Sequence, residues 1–435
     1  MKIEIPPKIN WDSKIHEMLE VILSKKFEDE LKNIDQRYLY WDDIKYRKNM
    51  PFDDSSKNWM LVKLNRKMNY KVISIGKYSF YYYLTPNIQK DLHEFDLKLI
   101  GGIYENPITD HEKAVYLRNS LFEEAIASSQ IEGAATTTRV AIKLLKSGRK
   151  PRNESEQMIF NNLRVINFIK QEKNRHLDIP FILEIQKIMT ANTSAEDCSG
   201  ELRTGPIFVQ DMVDGEVAHV PPEWEEVEGL LEEVCKFTNS DKDFFHPIIK
   251  ASIIHFFMGY IHPFKDGNGR TARALFYWYL LKKGYSLMEN ISISRAILDS
   301  RIQYDKAFLK TENDDNDLTY FIIYSIKSLR VAFERLVRYC KNKKDERDQI
   351  DIMAYRLEKQ GFNERQAAIL GYLYFKKDKN VSLKSYSEKH KIVRQTARKD
   401  LSDLVKQGLL IENREGRNII FRLHSNKVIE EILTR

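Results

Sequence analysis

Twelve consecutive residues hold most of the groups that could do chemistry in this chain: His262-Pro263-Phe264-Lys265-Asp266-Gly267-Asn268-Gly269-Arg270-Thr271-Ala272-Arg273. Gly267 and Gly269 let the backbone turn with its N–H groups inward, and a helix starting there aims the positive end of its dipole at the same point. That is an anion cradle. Arg270 and Arg273 lie three apart on the first helical turn, so both guanidinium forks can face one point and bind two phosphates. Asp266 offers a hard oxygen ligand beside the cradle, the arrangement in which a carboxylate and substrate phosphates share one Mg2+. His262 is the only group in the loop whose ordinary pKa suits accepting a proton near neutrality, which makes it the candidate general base. Phe264 has no chemistry to do and reads as the loop's anchor in the core. Each of these residues alone has a plain structural explanation; their combination within one loop does not. Together they are parts for moving a nucleotidyl or phosphoryl group from a polyphosphate onto a hydroxyl. The loop is not a P-loop, because Gly-Lys-Ser/Thr is missing.

Two apolar helices must position this loop. IIKASIIHFFMGYI before it is apolar nearly all round and should be buried; ALFYWYLL after it is equally apolar and ends at Lys282, Lys283 and Gly284, good C-terminal signals. The 3.6-residue period starts near His111, where Val115, Leu117, Leu121, Phe122, Ile126 and Ile131 mark a helix that ends at Gly133, a natural C′ residue. Further helices are predicted at about 154–172, 180–191, 223–237, 246–261, 270–283, 294–310 and 317–342. Between Arg203 and Pro222, IFVQ and EVAHV flank Asp211–Asp214 and Gly215, which predicts a β-hairpin. The first hundred or so residues are aromatic and mixed in charge, with a helix over Ser13–Asn33 and a strand over Tyr78–Leu84. Tyr38, Tyr40, Trp41 and Tyr46 there read as packing residues, and no motif assigns this segment a role.

A chain of 435 residues, at roughly 100 to 200 per domain, predicts two to four domains. With 42% apolar and 31% charged residues it can bury a sizeable interior and does not read as disordered. The opening MKIEIPPKINWD lacks a signal-peptide h-region, and Ala251–Phe264 is too short and His-interrupted to span a membrane, so the expectation is a cytoplasmic protein with no membrane association. Cys198, Cys235 and Cys340 are far apart, with neither a CxxC pair nor zinc-ligand spacing. The net charge of +7 lies entirely between Gly361 and Arg435, where 16 Lys/Arg face 9 Asp/Glu. An anionic partner for that tail, nucleic acid first, is the implication. KNKKDERDQID at 341–351 reads as a solvated helix end or linker before it.

The segment HPFKDGNGRTAR matches every specified position of HPFxDGNGRxxR and so resembles the Fic family, over roughly residues 106–340. The resemblance implies a mainly α fold, a helical Fic core with a small β-hairpin flap. It also implies an adenylyltransferase that moves AMP from ATP to a Ser, Thr or Tyr hydroxyl of a target protein and releases pyrophosphate. Carried over position by position, it makes His262 the base and Asp266 the Mg2+ holder. Gly267, Asn268 and Gly269 would contact phosphates, with Thr271 and Ala272 in the same nucleotide-binding turn, and Arg270 and Arg273 would bind the distal phosphates. The 203–222 hairpin then looks like the flap that clamps the target's extended segment; Gly200, Arg203 and His219-Val220-Pro221-Pro222 fall in it. Tyr304 sits where the family places an aromatic near the adenine, with Asn313 beside it. A homodimer is a further family expectation. A different transferred group, UMP or phosphate, stays open, because the loop reads mainly phosphates.

Ser128-Ser129-Gln130-Ile131-Glu132-Gly133, ending the 111–133 helix, resembles the family's inhibitory motif Ser/Thr-x-x-x-Glu-Gly/Asn. The implication is that Glu132 pairs with Arg273, taking the fork that the γ-phosphate needs, with Ser128 and Gly133 completing the motif. In the tail, helices are predicted at 363–376, 385–390 and 393–407, then strands around Glu415-Gly416. That order resembles a winged helix-turn-helix domain over 359–435, after a linker or helix at 341–358, with residues 1–105 as a separate N-terminal domain. Arg394, Gln395, Arg398 and Lys399 would lie on the exposed face of its third helix, with Arg414 and Arg417 at the wing tip, suited to duplex DNA. The same fold also serves protein contacts. A DNA-binding regulator whose Fic domain senses or modifies a partner is therefore the second reading.

Overall fold

The computed structural model describes residues 3–11, 15–100, 110–210, 215–376, 380–415 and 418–434. They divide into two compact units, one reaching to Leu336 and one starting at Val337. No helix of the described residues is long and apolar enough to cross a membrane.

In the first unit the N-terminal segment builds its own aromatic core. Tyr38, Tyr40, Trp41 and Trp59 are buried in it together with Tyr320, whereas Tyr46 is 73% exposed. The predicted Ser13–Asn33 helix is two helices, Ile15–Leu23 and Glu28–Arg37, and Ser13 itself lies outside the described residues. The break follows from local competition: Ser24 Oγ donates to the Val21 carbonyl and accepts from the Lys26 N–H, and Lys25 takes a left-handed φ of 56°. The predicted strand at Tyr78 is Tyr78–Tyr82, paired antiparallel with Lys71–Ile75. These residues and the helical core that follows belong to one compact unit.

The helical core forms around the pair Pro247–Ile261 and Asn268–Lys282. Both are buried on nearly every face, as all-round apolar helices must be. Pro247 sits in the first helical turn, where its missing N–H costs nothing, and the His246 side chain caps the Ile248 N–H. Asp110–Ile131, Glu154–Gln171, Ile179–Thr190 and Val227–Asn239 pack around the pair. The predicted 294–310 helix is broken at Ser300 into Ile293–Asp299 and Arg301–Asn313, because Ser300 Oγ bonds back to the Ala296 carbonyl and meets the Tyr324 hydroxyl. The hairpin has strands Val209–Gln210 and Val217–His219, paired antiparallel with a bulge; Asp211–Asp214 lie outside the described residues.

The division between the units falls inside the helix Thr319–Lys359, which includes 341–351. The second unit continues through helices Glu364–Phe375, Leu383–His390 and Arg394–Lys406, the hairpin Leu410–Glu415/Asn418–Leu423 and a last helix Asn426–Leu433. A short strand, Val381–Ser382, adds to the hairpin's second strand, giving three strands. Leu370, Leu373, Tyr386, Leu401, Leu404, Phe421 and Ile429 fill its core. The buried Asp400 carboxylate ties three helices: it accepts from Arg365, Asn363 and the Tyr386 hydroxyl.

Candidate active site

Phe264 is fully buried and fixes the loop. Asn268 braces it from within: its Oδ1 accepts from the Phe264 N–H at 2.9 Å and its Nδ2 donates to the Phe264 carbonyl at 2.7 Å. The Asn268 side chain is therefore spent on the loop, leaving its backbone N–H for a ligand. Gly267 adopts φ 86°, a left-handed conformation favouring glycine, and opens the Asn268–Lys282 helix.

His262 is the left-handed C-terminal residue of the helix Pro247–Ile261, with φ 49°. Its Nδ1 lies 3.2 Å from the Gly259 carbonyl. A carbonyl only accepts, so Nδ1 carries the hydrogen and Nε2 is left as the basic nitrogen. Burial pushes the His262 pKa down to about 4; the Gly259 bond and the Glu132 charge oppose this, and His219 and Arg203 add to it. The imidazole is neutral at pH 7.

Arg273, only 3% exposed, meets the end of the Asp110–Ile131 helix. Its Nε donates to Ser128 Oγ and one terminal nitrogen to the Ser128 carbonyl, each at 2.9 Å, and that nitrogen lies 2.9 Å from Glu132 Oε1. The other terminal nitrogen is buried with no partner. Glu132 lies directly over the cradle: a Cβ built on Gly269 would overlap its Oε1. Enclosing protein atoms raise the Glu132 pKa, but Arg273, Arg270 and Arg301 outweigh them and hold it below the ordinary carboxylate range. Its side chain is still 29% exposed through the mouth of the cleft. Gly133, at φ 94°, follows it.

Arg270 donates to Asp266 Oδ2 at 2.7 Å and to the Met189 carbonyl, and its buried Nε has no partner. The Thr271 hydroxyl is likewise buried and unpartnered. The Asp266 side chain is 46% exposed and its Oδ1 accepts from the Gly267 N–H. Among the described residues no group of three or more His, Cys, Asp or Glu is placed to hold a metal ion. One exposed carboxylate next to an anion cradle fits Mg2+, which keeps water and phosphate oxygens in most of its coordination positions.

His262, Glu132, Gly269, Ala272 and Tyr304 line one cleft of about 910 Å³ including its open mouth, together with Val209, Gln210, Ala218 and His219 of the hairpin. Tyr304 is buried, its hydroxyl 3.0 Å from His255 Nε2. Asn313 was expected beside Tyr304 near the adenine. It stands at the end of Arg301–Asn313, hydrogen-bonded to Tyr40, and does not line the cleft; its neighbour Glu312 does. Arg301, Asp305 and Glu312 were not anticipated from the sequence. Arg301 donates to the Ile131 carbonyl at 2.6 Å and pairs with Asp305. Their spacing around Tyr304 and Phe308 on one helix could have revealed them.

Arg203, 2% exposed, fastens the hairpin to this loop. Its Nε donates to the His262 carbonyl at 2.9 Å, and its other nitrogens donate to the carbonyls of Gly205 and Pro222, one at each base of the hairpin.

In the second unit Arg394, Gln395, Arg398 and Lys399 are exposed on Arg394–Lys406, and Arg414 is exposed on the wing strand. Arg417 and Gly416 lie outside the described residues.

The Fic/DOC family model matches residues 176–280, and a DeoR-like helix-turn-helix model matches residues 365–421. Similar curated proteins include the protein adenylyltransferases Fic of Nematostella vectensis, 29% identical over 40% of this chain and 39% of the relative, and of Aedes aegypti, 27% identical over 40% and 34%. The chain thus spans between a third and two fifths of the length of these relatives. In fold it resembles a Fic family protein from Desulfovibrio desulfuricans, with a TM-score of 0.52 and 18% identity over 78% of this chain and 94% of that one. It also resembles Fic-1 from C. elegans, with a TM-score of 0.52 and 20% identity over 75% and 88%. The loop, the helix pair around it and these matches assign residues 176–280 to the Fic/DOC family as a Fic domain, joined in the same chain to a C-terminal DeoR-like helix-turn-helix domain.

Proposed function

We propose that this chain is a protein adenylyltransferase that moves AMP from ATP to a hydroxyl side chain of a target protein and is held slow by Glu132. The observation that carries this reading is the Glu132 carboxylate itself. It sits over Gly269 against Arg273, where a phosphate would sit, in the same cleft as a neutral His262. The buried, partnerless nitrogens of Arg270 and Arg273 support it, since each is a donor lacking an acceptor that a phosphate oxygen would supply.

In the transfer, His262 Nε2 takes the proton of the target hydroxyl as its oxygen bonds to the α-phosphorus and the bond to the pyrophosphate oxygen breaks. Nδ1, held by the Gly259 carbonyl, fixes the ring's tautomer and aim. The bound triphosphate adds negative charge beside the imidazole and raises its pKa from about 4 toward the working range, strengthening the base when substrate is present. Arg270, Arg273 and the helix N-terminus hold the departing phosphates. Mg2+, held by Asp266 together with those phosphates, would neutralise charge on the leaving pyrophosphate. The hairpin beside the cleft suits capture of an extended segment of the target.

The exposed cations on Arg394–Lys406 support duplex DNA as a partner of the second unit. Three free thiols support a reducing compartment, and we place the protein in the cytoplasm. The deciding experiment incubates Glu132→Gly protein with mixed nucleoside triphosphates and reads intact mass. An AMP increment that disappears with His262→Ala is expected; no increment, or that of another group, would overturn the reading.

A further inference from the structure

The hairpin is fastened by two basic side chains of different kinds. Arg203 holds its base and is charged at every working pH. His219, the last residue of the second strand, holds that strand: Nδ1 lies 2.6 Å from Glu312 Oε2 and Nε2 lies 2.7 Å from the Tyr260 carbonyl. An ionised carboxylate and a carbonyl are both acceptors only, so both bonds exist together when both ring nitrogens carry hydrogen. The His219 side chain is 9% exposed and Glu312 19%, so water substitutes poorly for either bond.

The groups facing His219 come from every side. Helix Arg301–Asn313 contributes Glu312, and Pro247–Ile261 contributes the Tyr260 carbonyl, the Tyr260 ring at 5.2 Å and the terminal His262. Glu216 precedes its strand, and Tyr78 and Glu226 stand behind Tyr260. Glu132, Arg301 and Asp305 share the cleft.

We propose that His219 is a positioning residue that works as an imidazolium: it fastens the hairpin strand Val217–His219 to the end of the His262 helix and to Arg301–Asn313, and lets go when it loses its proton. The strand that would align the target's hydroxyl is then firm while both ring nitrogens carry hydrogen and loose when one does not.

Glu312→Gln separates this from a merely structural contact. A glutamine amide can donate to Nδ1 while Nε2–H donates to the Tyr260 carbonyl, so a neutral His219 keeps both bonds. Three measurements on the full chain test the proposal. Side-chain 15N spectra of the wild type should show His219 with both nitrogens protonated below neutrality, and Glu312→Gln should show one. Amide hydrogen exchange over Val217–His219, corrected for intrinsic rates, should rise roughly ten- to hundredfold across the titration in the wild type and stay flat in Glu312→Gln. The third measurement rests on the adenylyltransferase reading: in a Glu132→Gly background, His219→Ala should lower automodification by a similar factor with ATP affinity unchanged. A singly protonated wild-type His219 on the acid side, or identical exchange of the strand in wild type and His219→Ala, would overturn the proposal. If no variant transfers AMP while exchange responds as described, the enzymatic reading falls and the latch stands.

Discussion

The two units use cations in opposite ways. In the first, Arg273, Arg270 and Arg203 are buried and their N–H groups are aimed by named partners, with one nitrogen each of Arg270 and Arg273 left without one. In the second, Arg394, Arg398, Lys399 and Arg414 stand in solvent. A buried guanidinium must have its partners built beside it, which fixes geometry and makes one ligand oxygen count for a great deal. An exposed one is cheap, individually weak and effective only as one of a set against a polyanion. The lesson is that the first unit suits chemistry at one atom and the second suits attraction over a surface.

The contrast breaks most readily at the base. In a Glu132→Gly background, His262→Ala should cut AMP incorporation from labelled ATP by about two to four orders of magnitude. A loss of only a few-fold would remove His262 from the chemistry. Next in size is the brake: releasing one partly buried charge pair is worth up to roughly 2 kcal/mol, the low end of the range for a fully desolvated pair. Glu132→Gly should therefore raise labelling strongly, and Arg273→Ala should cancel the gain. An unchanged rate in Glu132→Gly would leave the carboxylate without an inhibitory role.

The surface unit should behave differently. Arg398→Ala should weaken binding to duplex DNA across all sequences and reduce the slope of log affinity against log salt by about 1. A chain that is not retained on DNA even at low salt would point to protein contacts for this fold. The smallest effect is on stability. The folded His262 pKa is depressed, so the unfolded chain takes up a proton that the native chain refuses, and stability falls as pH drops from about 6.5 toward about 4. His262→Gln should remove that part of the acid limb in denaturant titrations. Glu132 acts with the same sign at lower pH, since its depressed pKa favours the fold only while it is ionised.

What the sequence could tell tracks the distance over which each feature is determined. The loop was legible because its glycines, arginines and histidine are neighbours in the chain, and the helices around it because their faces repeat every turn. Breaks inside helices were not. Ser24 and Ser300 end their helices through side-chain bonds that leave the apolar period unmarked. The ion pair of Arg273 with Glu132 could be named only from the family resemblance, since 141 positions separate the partners. The His219–Glu312 contact was missed for the same reason, with no motif to join its ends. Asn313 and Glu312 are neighbours in the chain, yet Glu312 lines the cleft and Asn313 does not, because on a helix one position is a turn of about 100°.

The brace between Asn268 and Phe264 has a consequence for the age of the molecule. Asn-Gly is the dipeptide most prone to succinimide formation, because the next backbone nitrogen can reach the asparagine amide unhindered. In Asn268-Gly269 that amide is held at both ends by the Phe264 backbone, and Gly269 is already committed to the first turn of a helix. Deamidation would put a carboxylate oxygen against the Phe264 carbonyl and undo the loop. The native fold therefore protects its own active loop from chemical decay, and molecules that spend time unfolded would be the first to lose it permanently.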